Sequence, residues 1–250
     1  MVNYEKYLDI EIFEGKISKH QYPWHFHNSY TIVLVEKGSI LYEFQENLIQ
    51  IEEGEVLFIE PLMVHRNTIS TPTIYKALFV PNNYFDCLGQ SNIATEKLSQ
   101  NKIFENIVEL FSTIKNKKSK SEVCDSIFRI NEFMQNSQKQ NSNNSISVNK
   151  NIPHINLDLS INELSKEAHL SKYHYQREFK KKSGLTIGQL KQHDKTTQAK
   201  MLLENGQLST DVAYQLGFFD QSHFIKYFKK MWVISPKFFK KAHFFTIFWF

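Results

Sequence analysis

Two short stretches near the C-terminal end gather the side chain types that read nucleic-acid bases. In the first, Lys172, Tyr173, Gln176, Arg177 and Lys180 point outward from a helix whose inner face carries Tyr175 and Phe179 at i and i+4. Glutamine can meet adenine with a donor and an acceptor at once, and arginine can do the same with guanine. The lysines suit phosphate oxygens, which hold a helix in register without reading sequence. The second stretch repeats the arrangement, with Gln221, Ser222, His223 and Lys226 outward and Phe224, Tyr227 and Phe228 packed inward. The chemistry is non-covalent recognition, and no catalytic residue is assigned.

Each stretch is the second helix of a hairpin. In the first hairpin Ser160 stands where it can cap a helix starting at Ile161, and Glu163 completes a capping box. Leu164 and Ala168 are expected to face inward, the chain turns at His169-Leu170, and Ser171 caps the next helix. In the second hairpin Thr210 or Ser209 caps a helix that turns Val212, Ala213 and Leu216 inward. Gly217 permits the sharp turn, Phe218 closes the core and Asp220 caps the outward-reading helix. One helical hairpin with a polar face is common. Two in tandem, joined by a helical stretch from Gln189 to Leu203, point to a reader of two successive major-groove segments of DNA.

The chain in front is of a different kind. Tyr30–Val35, Ser39–Phe44, Leu48–Ile51, Glu55–Ile59 and Ile74–Val80 are short runs of β-branched and aromatic residues. Turn signals at Lys37-Gly38, Glu46-Asn47 and Glu53-Gly54 separate them, a spacing that predicts an antiparallel barrel or sandwich. From about residue 95 to 136 the apolar period becomes helical: Leu98, Ile103, Ile107, Leu110, Phe111 and Ile114, then Val123, Ile127, Ile130 and Met134. The basic break Lys115–Lys120 divides this into two helices, which serve either as a dimerisation surface or as a cover for the open barrel end. Gln135–Asn151 is almost entirely Asn, Ser, Gln and Lys, too poor in apolar residues to order itself, and reads as a flexible linker.

Charge follows the same division. Residues 151–250 carry 15 basic and 8 acidic side chains (net +7), whereas residues 1–150 carry 15 and 18 (net −3). A basic half joined to a mildly acidic one fits a nucleic-acid module attached to something else. At 250 residues there is room for two domains with cores of their own. No apolar run approaches the roughly 20 residues of a membrane-spanning helix, and Met1–Lys6 has no signal-peptide core, so a cytoplasmic protein without membrane partners is expected. Cys87 and Cys124 are too few for a disulfide framework and read as ordinary thiols in a reducing compartment.

The residues of the second hairpin resemble those of the AraC/XylS family of bacterial transcription regulators. The match runs Ala213-x-x-x-Gly217-Phe218-x-Asp220-Gln221-Ser222-His223-Phe224-x-x-x-Phe228-Lys229-Lys230, then Ser235-Pro236. The first hairpin adds Ser171, Gln176-Arg177-x-Phe179-Lys180 and Gly184. In that family a long helix joins the hairpins and the recognition helices enter adjacent major grooves. The resemblance makes Tyr173, Gln176 and Arg177, then Gln221, Ser222, His223 and Lys226, the base-reading candidates. Four positions depart from the pattern: Val233 stands where glycine is usual, Lys195-Thr196 where Arg-Leu is usual, and Ile187 where proline is common.

Trp24-His25-Phe26-His27 with Tyr30, Gly38, Gly54, Pro61 and His65 resembles the cupin barrel that many of these regulators carry in front. Metal-binding cupins gather two histidines of a His-x-His, a glutamate and a later histidine. Here His25, His27 and His65 are available, but Thr31 and Ile32 occupy the stretch where the glutamate belongs. Three imidazoles can hold zinc or iron; the alternative, which we adopt, is that the rings are scaffold at the barrel mouth and that no metal or other cofactor is bound. An effector would sit in that mouth, lined by Trp24, His25, His27, Tyr42 and His65.

These observations together predict an α+β chain of two domains. Residues 1–136 form a cupin-like antiparallel β-barrel with two helices, 137–152 a linker, 153–241 an all-α domain of two helix-turn-helix units, and 242–250 an apolar tail, Ala242 to Phe250, of unassigned role. The expected function is sequence-specific regulation of transcription. The expected partners are double-stranded promoter DNA, RNA polymerase, a small-molecule effector and a second copy of the chain. Two rival functions make distinct predictions. A metal-dependent cupin enzyme with a helical appendage requires stoichiometric metal, lost in His25→Ala and His65→Ala. A protein-binding module predicts no steep salt dependence with DNA, where lysine–phosphate contacts would produce one.

Overall fold

A computed structural model describes residues 2–86, 93–140 and 152–239. Cys87, residues 141–151 of the expected linker and the apolar tail lie outside the described residues. The chain divides into two compact units, one of residues 1–21, 26–63 and 67–147 and the other of residues 22–25, 64–66 and 148–250.

The first unit is organised around β4 (Tyr30–Lys37), whose residues Tyr30 to Val35 are all buried. Such a nearly unbroken apolar run needs cover on both faces, and β4 lies between β9 (Thr73–Val80) and β7 (Val56–Ile59), antiparallel to both. Strands β1 (Val2–Tyr7), β2 (Ile10–Ile17) and β10 (Glu96–Leu98) complete a six-stranded sheet of order β1-β2-β9-β4-β7-β10. The second sheet runs β3 (His20–Gln21), β8 (Arg66–Ile69), β5 (Ser39–Glu43), β6 (Leu48–Glu52). Gly38 makes the β4–β5 turn at φ 86°, where a Cβ would lie 2.8 Å from the Pro72 carbonyl oxygen. Position 38 is therefore closed to any larger residue.

After the short helix α1 (Asn83–Asp86), helices α2 (Asn101–Lys115) and α3 (Lys120–Gln140) form the expected pair, broken within Lys115–Lys120. Ile103, Ile107, Leu110 and Ile114 of α2 and Val123, Ile127, Ile130 and Met134 of α3 are buried in one cluster with Ile10, Ile12, Ile32, Leu34, Val56, Phe58 and Leu78. Those strand residues alternate along β2, β4 and β7 and so share one side of the sheet. The helix pair thus covers a sheet face and not an open barrel end, because this apolar face would otherwise meet water. Two boundaries differ from expectation. Leu98 belongs to β10, paired with Val56, and not to a helix. Helix α3 continues to Gln140, four residues into the stretch assigned to the linker.

The second unit is helical: α4 (Ile161–Glu167), α5 (Lys172–Ser183), α6 (Ile187–Glu204), α7 (Ser209–Gln215) and α8 (Gln221–Trp232). Helices α4 and α5 form one hairpin, α7 and α8 the other, and α6 joins them. Thr186 caps α6 in a reciprocal box with Gln189. Ile187 is the first residue of α6, the position where proline's fixed φ and missing N–H cost nothing.

Candidate nucleic-acid interface

The two hairpins turn through one set of hydrogen bonds. After α4 the Leu170 amide donates to the Ser165 carbonyl (2.9 Å) and the His169 amide to the Lys166 carbonyl (3.0 Å), with His169 at φ 53°. After α7 the Phe218 amide donates to Ala213 (2.9 Å) and the Gly217 amide to Tyr214 (3.0 Å), with Gly217 at φ 63°. This paired closure around one left-handed residue satisfies the last carbonyls of the helix and reverses the chain within a few residues.

Caps then set where each outward-reading helix begins. The Ser171 hydroxyl accepts from the His174 amide at the start of α5, and the Asp220 carboxylate accepts from the His223 amide (2.6 Å) at the start of α8. Before α4, Ser160 and Glu163 form the full capping box. The Ser160 hydroxyl and amide hold the Glu163 carboxyl below the usual carboxylate range. Two local expectations fail. Leu208, without a side-chain bond, is the residue before α7, so neither Ser209 nor Thr210 caps it; both already lie within the helix. Ala168 is exposed at the end of α4, because the turn at His169 carries the chain away from the core.

On α5 the side chains of Lys172, Tyr173, Arg177 and Lys180 are exposed, Tyr173 to 85%, and Gln176 is half-buried. Only Phe179 and Ser183 of this helix are buried. On α8, Gln221, Ser222 and Lys226 are exposed, while the half-buried His223 ring stands edge-on to Tyr227 (4.7 Å between centroids). Phe224 and Phe228 are fully buried, and Phe218 packs 5.2 Å from Phe224. Two further contacts had no signal in the sequence. Lys195 of α6 sets its ammonium 5.6 Å above the Phe218 ring and 3.3 Å from the Gly217 carbonyl, so lysine stabilises the second turn where the family has arginine. The Gln221 carboxamide donates from Nε2 to the Ser209 hydroxyl (2.9 Å).

The N-terminal candidates occupy their own places. His25 and His65 form a β-bridge, each amide donating to the other's carbonyl at 2.9 Å, and their ring centroids are 4.3 Å apart. With His27 they present ring nitrogens all within 4.8 Å of one another, and no carboxylate joins them among the described residues. His25 Nδ1 lies 2.7 Å from the Pro23 carbonyl, which makes it the donor nitrogen. Burial first, and the neighbouring His65 second, hold His25 well below the ordinary histidine pKa, so it is neutral. The ring spacing is narrower than tetrahedral zinc ligation would set, though close to what the right-angled positions of an octahedral ion would set. Trp24 carries the Arg66 guanidinium 5.1 Å above its ring. Tyr42 on β5 is buried, its ring stacked on Phe44.

Comparison with known proteins joins the two units. Residues 164–242 match a helix-turn-helix domain family and residues 7–129 match the AraC-like ligand binding domain. The chain belongs to the AraC family of transcription regulators. Among AraC-family relatives it is 26% identical to the HTH-type transcriptional regulator YbfI of Bacillus subtilis, over 88% of this chain and 87% of that protein. It is 22% identical to the transcriptional activator RhaS of Escherichia coli, over 90% and 89%. The fold is also that of ToxT from Vibrio cholerae: an apo variant aligns with a TM-score of 0.63 at 15% identity, covering 95% of this chain and 99% of the other. ToxT crystallised with an unsaturated fatty acid aligns at 0.61 and 14% identity, covering 93% and 94%. This AraC-family chain is therefore a transcription regulator with a cupin-like ligand-binding domain and a helix-turn-helix DNA-binding domain. No helix among its described residues is long and apolar enough to cross a membrane.

Proposed function

We propose that this regulator reads two successive major-groove segments of promoter DNA with α5 and α8, in the bacterial cytoplasm and as a homodimer placed beside RNA polymerase. The observation that carries this reading is the repetition itself: one turn closure used twice, each time followed by a capped helix with base-reading side chains outward. Tyr173, Gln176 and Arg177, then Gln221, Ser222, His223 and Lys226, contact bases; Lys172 and Lys180 contact phosphates. The ligand-binding domain, matched over residues 7–129, binds a small effector near Trp24, His25, His27, Tyr42 and His65. Its match to a ligand-binding domain family, and the unsaturated fatty acid bound by ToxT in the crystal, support a ligand for this domain. An effector that favours one dimer arrangement over another would shift the protein between half-site spacings. The domain boundary falls within the Asn- and Ser-rich stretch after α3. The histidine cluster is scaffold rather than a metal centre, three imidazoles with no carboxylate beside them among the described residues, and the chain is not an enzyme.

Genome-wide pull-down with purified protein at moderate salt tests this function. A recurrent motif of two blocks one helical turn apart is the expected result, with binding that falls steeply as salt rises. Sequence-blind retention, or none with and without cell extract as a source of effector, would overturn it.

A further inference from the structure

We propose that Ser209 is a specificity-determining positioning residue, whose hydroxyl presets the Gln221 carboxamide for base reading. The inference rests on α8 being a recognition helix. Gln221 is the first residue of α8 and Ser209 the first of α7, and the Nε2–Oγ distance of 2.9 Å joins the starts of the hairpin's two helices. Neither group is spent on its own helix. Leu208 occupies the cap position of α7 without a side-chain bond, and Asp220 caps α8 through the His223 amide. The contact therefore does no work for the helix ends.

Its chemistry suits a base reader. A carboxamide has two N–H groups and a carbonyl oxygen, and Ser209 engages one N–H. The second N–H and Oε1 remain, and these are the donor and acceptor that meet N7 and the exocyclic amine of adenine. A surface glutamine samples many rotamers, and fixing one on binding costs conformational entropy. Holding Gln221 beforehand lowers that cost for the matching base and penalises a base that would need another rotamer. The first hairpin lacks the device: Ile161 begins α4 and Lys172 begins α5, and an isoleucine has no group to offer. The pairing is thus a property of these two side chains and not of the fold.

The test uses the full chain and a randomised double-stranded DNA pool, sequenced after selection with wild type, Ser209→Ala, Ser209→Thr, Gln221→Ala and the double variant Ser209→Ala/Gln221→Ala. Gln221→Ala is expected to erase preference at one position. Ser209→Ala should weaken preference at that same position by about fivefold, the worth of one ordinary hydrogen bond, and leave the others unchanged. Threonine keeps the hydroxyl and should keep the preference, and the double variant should match Gln221→Ala alone. If Gln221→Ala erases the preference and Ser209→Ala leaves it intact, the positioning role is overturned while the reading of α8 stands. Equal weakening at every position after Ser209→Ala marks a structural role and overturns it too. A motif untouched by Gln221→Ala removes Gln221 from readout, and the inference with it.

Discussion

The first hairpin turns at His169 and ends its outer helix with Gly184, whereas the second turns at Gly217 and ends with Val233; all four residues have positive φ. Each hairpin thus has one glycine and one side-chain-bearing residue in the left-handed region, at opposite ends. The means of anchoring differ as well. Helix α5 buries only Phe179 and Ser183, so the first hairpin leans on its caps, with Ser160, Ser171 and Gly184 each closing a helix end. Helix α8 buries Phe224, Phe228 and Met231, and Lys195 is placed over Phe218. Packing of that extent can bear a β-branched residue at φ 64°, a conformation that costs roughly 1–2 kcal/mol. The lesson is that one architecture can be held by local hydrogen bonds in one copy and by a core in the other.

Four substitutions probe this contrast. Phe228→Ala is expected to lower stability by about 3–5 kcal/mol through loss of buried contacts and a residual cavity, measured by chemical denaturation. A cost near 1 kcal/mol would mean that the second hairpin is not core-held. Arg177→Ala in the polar helix α5 should leave stability nearly unchanged. It should cost about 1–3 kcal/mol in affinity for the selected site and relax preference at one base; unaltered binding by fluorescence titration would remove Arg177 from readout. Ser160→Ala should destabilise by about 1 kcal/mol, and more hydrogen exchange in α4 and α5 than in α7 and α8 would localise the effect to the cap-held hairpin. Val233→Gly should raise stability, by about 1 kcal/mol, since glycine adopts the left-handed conformation freely. A thermal midpoint that falls would show that the Val233 side chain contributes packing larger than its strain.

Much of the DNA-binding unit was legible because its signals are local. A cap and the amide it serves lie three residues apart, so Ser160, Ser171 and Asp220 could be assigned from spacing. The strain at Val233 was visible only through the family resemblance, in which glycine usually ends this helix. The expectation for Ser209 failed although it is of a capping type, because the helix starts one residue earlier than its chemistry suggested.

In the β unit, the central strand β4 was readable from its consecutive β-branched and apolar residues, and β1 was not, because it alternates with charged residues at the sheet edge and owes its place to pairing with β2. Likewise the helical periods of α2 and α3 were plain, but which surface they cover was not.

The amino-acid sequence by itself determined the longer helices, the central strands, the caps Ser160, Ser171 and Asp220, the two-hairpin repeat and the chemical character of the outward faces. All of these depend on interactions within a turn or two of the chain, where residue type and spacing are enough. Only the tertiary structure decided that His25 bridges His65, that Lys195 lies over Phe218, and that Gln221 is held by Ser209. Those partners are separated by 40, 23 and 12 residues, and their meeting depends on the path of the whole backbone, which no local spacing encodes.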